Sequence, residues 1–495
     1  MLSFDNILLF IYILPLSGLF IYGINCYFLM IYYRVHLGKA KERHQKLQTS
    51  FYEYLSPYEL PFVTIQLPVF NERYVIKRLI DSSCRLDYPK KKLEIQVLDD
   101  STDDTFHLAR ACVERLQQEG FDIVHLHRPN RTGYKAGALR DGLHVAKGEL
   151  IAIFDADFVP NPNFLKETIP YFSQPQVGMV QARWGHLNRN YSLLTRAQSM
   201  GIDGHFGVEQ AARGWGGLFM NFNGTAGIWR RAAIEDAGGW QADTLTEDLD
   251  LSYRAQLKGW KLEFAPVVSC PAELPVTITA FKSQQYRWAK GSIQTARKNL
   301  HKVWRAKLPL LVKIQATLHL THYLVHPLMI MVVLTSIPML FTHWFFLSIS
   351  YPLLVFTLFC LATFGPSAMY VYSQRIFYPR WKKNVRYLPF LMCLGTGISV
   401  NNTKAILEAL FGLQSSFIRT PKYGIEQRND SWYDKLYSLP FDSLSVFELL
   451  LGMYSLAGLL LFLHFSKYLI SPFLLIYTAG FFYVFSLSVI HAKKK

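Results

Sequence analysis

The sequence predicts an α/β domain on a doubly wound sheet, inserted between transmembrane α-helices. Three observations lead there. Uncharged stretches near both ends of the 495-residue chain are long enough to cross a hydrocarbon core of about 30 Å. Between residues 60 and 307 such stretches stop, and short apolar runs alternate with helical patterns. Acidic residues then gather just beyond the short runs, where open α/β sheets bind their ligands.

The first uncharged stretch is 7–33, ILLFIYILPLSGLFIYGINCYFLMIYY, followed directly by the basic run RVHLGKAKERHQK. No positive segment precedes it, so 1–34 reads as a signal-anchor with its N-terminus outside and 35–59 as a basic linker. Apolar segments return at 319–346, 347–373, 444–465 and 467–491. The stretch 386–412 has an apolar run too short to span and reads as a re-entrant or interfacial amphipathic segment. Five spans then put the α/β domain, the QRIFYPRWKKNVR loop, the 413–443 loop and the KKK terminus on one side. That side carries the positive clusters, which predicts an integral membrane protein with its α/β domain in the cytoplasm. The membrane would be a cell inner or plasma membrane, or a Golgi membrane in a eukaryote. The divisions are 1–34, 35–59, 60–307, transmembrane helices over 308–385, an interfacial segment and loop over 386–443, and a transmembrane hairpin over 444–495.

Composition agrees. Hydrophobic residues make up 51% and charged residues 18%, which is apolar for a soluble enzyme. The formal charge of +16 follows from basic residues flanking spans, and part of it could serve a pyrophosphate-bearing substrate. No nucleic-acid motif accompanies it, so no nucleic-acid partner is expected. The six cysteines form no CxxC pair or regular framework and read as buried thiols in a reducing compartment.

Within the domain, FVTIQLPVF, LEIQVLDD, FDIVHLH and ELIAIFDAD read as buried strands, with helical patterns near 72–84, 104–119 and 133–146. Glu72 follows the first strand, Asp99 and Asp100 end the second, and Asp155 and Asp157 end another. An Asp-x-Asp at a strand end can aim two carboxylates at a hard divalent cation that also takes phosphate oxygens. A single acidic pair is more often a solvated turn or a helix cap; three acidic strand ends in one domain favour a site. TLTEDLDL then opens a helix at Thr246, Glu247 and Asp248, where Thr can cap and acids suit the first turn. A carboxylate there could also take a proton from a hydroxyl. In QQYRW, Gln284, Arg287 and Trp288 supply forked donors for phosphate and a flat apolar face for a sugar. Alone, such residues more often serve packing and a salt bridge. No GxGxxG follows the first strand, which excludes a dinucleotide-binding enzyme.

The ordered set QLPVFNE, DDSTDD, RTGYKAGAL, DADF, NGTAG, TEDLDL and QQYRW resembles processive family 2 glycosyltransferases of the cellulose-synthase superfamily. The cellulose-synthase-like A (mannan or glucomannan synthase) branch and its bacterial relatives are nearest. The likeness is close over roughly 60–300 and looser through SFIRTPK, which is similar to the family's gating loop. It implies a GT-A nucleotide-binding sheet, a transmembrane channel, and a Mg²⁺ or Mn²⁺ cofactor. By the same resemblance Glu72, Asp99, Asp100, Lys135 and Asp155 contact the nucleotide. Asp157, with Asp155, holds the metal against the diphosphate. Asp248 is the general base, and Gln284, Arg287 and Trp288 hold the diphosphate and the acceptor. Phe417, Arg419, Thr420 and Lys422 belong to the gating loop.

The implied reaction is inverting hexosyl transfer from UDP-glucose or GDP-mannose to a growing β-linked glycan, β-1,4 by resemblance, which is passed across the bilayer. The alternative is a non-processive enzyme that glycosylates diacylglycerol or ceramide; the NGTAG and SFIRTPK blocks and the number of C-terminal spans favour the polymer. A transporter or scaffold with a dead transferase domain would lack one of the acids or Arg287, and all are present. Two departures stand out. FIRTPK differs from the loop of the cellulose synthases proper, and KKK after the last span predicts no C-terminal cyclic-dinucleotide domain.

Overall fold

Every strand expected from an apolar run is present, and three more complete the sheet. In the computed structural model, which describes residues 3–54, 60–344, 350–415, 417–433, 435–437 and 439–492, the strands are β1 (Val63–Val69), β2 (Leu93–Asp99), β3 (Ile123–His127), β4 (Leu150–Ile153), β5 (Val177–His186), β6 (Gly227–Arg230) and β7 (Lys261–Ala272). The end of the basic linker, the junction of the 319–346 and 347–373 spans, Ser416 and the KKK terminus lie outside the described residues.

The sheet order is β3-β2-β1-β4-β6-β5-β7. β3, β2, β1 and β4 are parallel, as the strand–helix alternation requires, whereas β6 runs antiparallel to both β4 and β5. The sheet is therefore mixed. The helices Leu193–Gly204 and Gln210–Trp215 between β5 and β6 return the chain to the end of the sheet that it left, so β6 starts at the carboxyl end of β4 and runs antiparallel.

Alternation along β1 and β2 would ordinarily signal one wet face, but both faces are buried. Val63, Ile65 and Leu67 enter a core with Leu79 and Val113, from the helices Ile76–Cys84 and Thr105–Gln118. On the other face Thr64 donates to Glu94 at 2.6 Å and Gln66 to Gln96 at 3.0 Å, in the strand register that pairs those residues. Burial of these polar side chains is tolerated because they satisfy one another across the ladder. A second core on that face gathers Leu139, Ile151, Ile153, Trp229 and Leu251, together with Leu29 and Tyr33 of the first helix.

That first helix runs from Phe4 to Tyr54, 51 residues, about 75 Å at 1.5 Å per residue. It exceeds a membrane crossing by more than half, and the expected basic linker is helical through Tyr54. Its second half docks on the domain: Tyr32 donates to Gly216 O at 2.9 Å, Arg43 pairs with Glu263 at 2.6 Å, and Gln48 donates to Glu167 O at 2.7 Å.

Five helical stretches among the described residues are long and apolar enough to cross a membrane: Phe4–Thr49, Leu310–Leu340, Leu353–Phe377, Ser445–His464 and Ser471–Ala492. Each matches an expected span. The 386–412 region forms two short helices, Leu388–Gly397 and Ser399–Leu410, neither of them among those five. The first lies against Ser471–Ala492 and the second against Ile278–Arg305. Ile278–Arg305 is tied to the C-terminal hairpin by Lys282, which pairs with Glu448 at 2.5 Å and donates to Ser445 and Ser488.

Backbones meet closely where Leu388–Gly397 crosses the last helix. A Cβ on Gly480 would sit 1.9 Å from Thr396 Oγ1 and 2.7 Å from Cys393 O. Gly480→Val should therefore cost about 1–3 kcal/mol of overpacking, measured as a lower unfolding midpoint in detergent. Gly395→Ala, with nothing within 4 Å of its Cβ, should leave the midpoint unchanged. Equal midpoints for both variants would contradict this packing.

Candidate functional site

The parallel strands deliver their acids to one cleft at the carboxyl end of the sheet. Glu72 lies three residues past β1, Asp100 one past β2, and Asp155 and Asp157 just past β4. Asn71 adopts a left-handed backbone with φ of 54°. It links the first two strand ends, with its N–H donating to Ser101 Oγ and its side chain accepting from Thr102 N, both at 2.8 Å. The cleft, about 180 Å³ in volume, is lined by Glu72, Asp100, Lys135, Asp155, Asp157, Asp248, Gln284, Arg287 and Trp288, and by Phe417, Arg419, Thr420 and Lys422 from the loop near the membrane.

Asp99 is the expected residue that does not line it. Its carboxylate turns under β2, accepts from Ser101 N at 2.8 Å and lies 2.8 Å from His125 Nε2. Consecutive residues at a strand end point to opposite faces, so only one of the pair can face the cleft. Asp100 does, held by a forked contact from Arg128 at 2.7 Å to each oxygen.

Asp248 comes from the first turn of the helix Glu247–Leu257. Thr246 precedes that helix but makes no side-chain cap; it packs instead on Gly291, where an added Cβ would lie 2.5 Å from Thr246 Cγ2. The TEDLDL turn is thereby seated against the interface helix that carries QQYRW. Asp248 is half-buried, and its carboxyl is pushed up to about 7 by desolvation first and by neighbouring Glu247 second, with Lys135 opposing. Gly224 of NGTAG lies in the left-handed region at φ +81°, and a Cβ there would come within 2.9 Å of Asp248 Oδ2. Both its backbone and its lack of a side chain are required.

Lys135, in the first turn of the helix Tyr134–Val145, donates to Asp155 Oδ1 at 2.5 Å and to Gly224 O at 2.9 Å, and lies 3.9 Å from Glu247. Gln284, Arg287 and Trp288 occur at i, i+3 and i+4 of Ile278–Arg305 and so share one face. Burial lowers the Arg287 pKa, and Glu247, Asp155, Asp248 and Asp157 oppose that shift. The Trp288 ring lies 6.3 Å from that of Trp184.

The loop from Phe417 to Lys422 is drawn into this acidic cleft. Lys422 Nζ lies 2.5 Å from Asp157 Oδ2, Arg419 lies 3.2 Å from Glu72, and Arg287 donates to Thr420 Oγ1 at 2.6 Å. The Arg419–Glu72 contact is a charge pairing without hydrogen-bond angles, since both groups keep unpaired atoms. Burial pushes the Glu72 carboxyl up to about 8, with Arg419 and Lys422 opposing. Phe417 stacks on Tyr134 at 5.4 Å, and Glu273 accepts from Tyr423 N and Gly424 N at 2.9 and 2.8 Å.

Among the described residues no group of three or more His, Cys, Asp or Glu converges as a metal cage. Asp157 nevertheless offers a buried oxygen donor already neutralised by a cation, Lys422. Such a donor fits a hard divalent ion that takes its remaining ligands from phosphate and water.

Sequence reasoning missed several cleft residues. Arg131 of RTGYK lies over the Phe70 ring at 3.5 Å, and Asn223 of NGTAG lines the wall; both sat inside quoted blocks. Trp184 and Glu273 come from β5 and the end of β7, strands that carried no motif.

Residues 61–291 match the family model described as "Glycosyltransferase like family 2". The chain is 45% identical over 260 residues to glucomannan 4-beta-mannosyltransferase 2 of Arabidopsis thaliana, covering 52% of this chain and 49% of the relative. It is 46% identical over 252 residues to glucomannan 4-beta-mannosyltransferase 1 of Oryza sativa subsp. japonica, covering 50% and 48%. The chain spans about half the length of these curated relatives. Among solved structures it is similar to a mannosyltransferase from Pyrobaculum calidifontis in complex with GDP-Man and Mn²⁺, at 19% identity and a TM-score of 0.47, over 80% of this chain and 100% of that one. Residues 61–291 therefore match a glycosyltransferase family 2 domain.

Proposed function

We propose that the protein is an inverting, membrane-embedded hexosyltransferase that extends a β-linked glycan, with GDP-mannose as donor. The observation that carries this reading is the meeting of Asp248 with Lys135, Asp155, Asp157, Arg287 and Trp288 in one cleft. The printed names of the curated relatives, 4-beta-mannosyltransferases, favour mannose over glucose of the two donors that the sequence leaves open. The donor reaches the cleft from the cytoplasm, the side that collects the positive loops.

Each group has a role that its chemistry suits. Asp248 removes the proton of an acceptor hydroxyl, and a carboxyl raised toward neutrality is a stronger base than an ordinary aspartate. The freed oxygen attacks the anomeric carbon from the face opposite the diphosphate. The new C–O bond forms as the C–O bond to phosphate breaks, turning an α-linked donor into a β-glycoside. Arg287 and Lys135 face the departing diphosphate with positive charge. Asp157, with Asp155, would hold Mg²⁺ or Mn²⁺, which when bound offsets charge on the diphosphate. Lys422, which pairs with Asp157 here, would then have to give up that contact. Trp288 and Trp184 give the acceptor sugar an apolar surface on which its C–H faces pack.

Three measurements test this. Purified protein given labelled GDP-mannose with Mg²⁺ or Mn²⁺ should make a product that a β-mannanase degrades, and EDTA should stop it. Turnover in EDTA would remove the metal role, and a product of one sugar on diacylglycerol or ceramide would remove the polymer. Asp248→Asn should keep donor affinity and lose transfer by about 10²–10⁴-fold, the range for a positioned base. Because Asp248 works ionised, kcat/KM of the parent should fall as pH drops through about 7, approaching tenfold per pH unit. A flat acid limb would exclude it. Trp288→Ala should shorten or abolish the glycan while donor binding and unfolding temperature hold; long product from a folded variant would exclude the acceptor role.

A further inference from the structure

Behind the cleft, across a wall shared at Gly185 and His186, lies a second cavity of about 480 Å³ lined by Arg183, Arg189, Tyr378 and Arg428. It sits where a candidate span meets the domain. Arg183 lies over the ring of Phe377, the last residue of the helix Ser350–Phe377, at 4.3 Å, and Arg189 over that of Tyr378 at 3.8 Å.

The arginines here hold donors in reserve. Among the described residues the one hydrogen bond of Arg183 runs from Nε to Pro266 O at 3.3 Å, which leaves both terminal nitrogens. Arg189 uses Nε on Ser199 and Nη2 on Gln374. Arg428 uses Nε on Asn190 O. Nearby carboxylates are engaged elsewhere: Asp203 by His186 and Gln374 at 2.9 Å each, Glu426 by Arg78 at 2.6 Å, and Asp430 by the N–H groups of Glu426 and Gln427. Burial lowers the Arg183 pKa, with Asp203 and Tyr378 opposing, so its guanidinium is poorly solvated where it stands. A separate observation is His186. Its side chain is only 3% exposed, its Nε2 faces Asp203, and its Nδ1 is buried without a hydrogen-bond partner.

We propose that this cavity binds a phosphate group, presented by an anionic lipid headgroup or by a soluble phosphoester. Guanidinium forks with free terminal nitrogens match phosphate oxygens in geometry and charge. Occupancy would give the unused guanidinium nitrogens partners and brace the wall shared with the catalytic cleft.

The test uses the full chain in neutral detergent, compared with an Arg183→Gln/Arg189→Gln double variant. Native mass spectrometry measures retained phosphatidic acid against phosphatidylcholine, and equilibrium dialysis measures radiolabelled inorganic phosphate. The parent should retain phosphatidic acid preferentially, and the double variant should lose about tenfold or more of that affinity, some 1.4 kcal/mol, with its unfolding temperature unchanged. Phosphate that binds the parent and not the variant, without lipid preference, assigns a soluble source. Equal binding of both probes by parent and variant, or no binding of either, overturns the site. Should the double variant fail to fold, Arg428→Gln on the exposed rim replaces it; it should lower retention several-fold, and unchanged retention would be equally decisive.

Discussion

Charge compensation in the cleft is the constraint on which the rest of the structure depends. Glu72, Asp100, Asp157 and Glu247 are all less than a tenth exposed, and they face one another across a space of a few residues. Carboxylates removed from water in this way are tolerated only when cations and donors meet them. Lys135 meets Asp155, Arg128 meets Asp100, Lys422 meets Asp157, and Arg287 lies among four acids. These cations come from the first turn of a helix, a loop after β3, the interface helix, and a segment more than a hundred residues further along the chain. Folding of the domain, seating of the interface helix and closure of the loop are thus one electrostatic problem.

The same problem draws the 417–422 loop into the cleft. Lys422 and Arg419 supply the cations that Asp157 and Glu72 require. Glu273 holds the backbone just beyond the loop, at Tyr423 and Gly424.

The membrane-side architecture is bound to the same site by the helix Ile278–Arg305. Its N-terminal half presents Gln284, Arg287 and Trp288 to the cleft, while Lys282 pairs with Glu448 of the C-terminal hairpin. An ion pair this buried contributes little net stability, because desolvation offsets its attraction. Removing either partner, however, would strand a charge. Its effect is to fix which turn of the interface helix meets the hairpin, and hence where Trp288 stands relative to the spans.

The sequence by itself determined the parts whose signals are local. The four parallel strands announced themselves as apolar runs of β length. The spans were visible because hydrocarbon thickness sets a minimum uncharged length. Asp100, Asp155, Asp157 and Asp248 stood out because acidic strand ends recur three times in one domain and an acidic helix start follows them. Only the tertiary structure decided what depends on direction and distant partners. Asp99 and Asp100 are equivalent as letters, yet the strand pleat turns one toward His125 and the other into the cleft. The antiparallel course of β6 follows from the return of the chain, through the helices before NGTAG, to the end of the sheet that it left, which no propensity of GIWR encodes. Trp184, Glu273 and the capture of Asp157 by Lys422 arise from elements remote in sequence, brought together because buried carboxylates require cations wherever the fold can supply them.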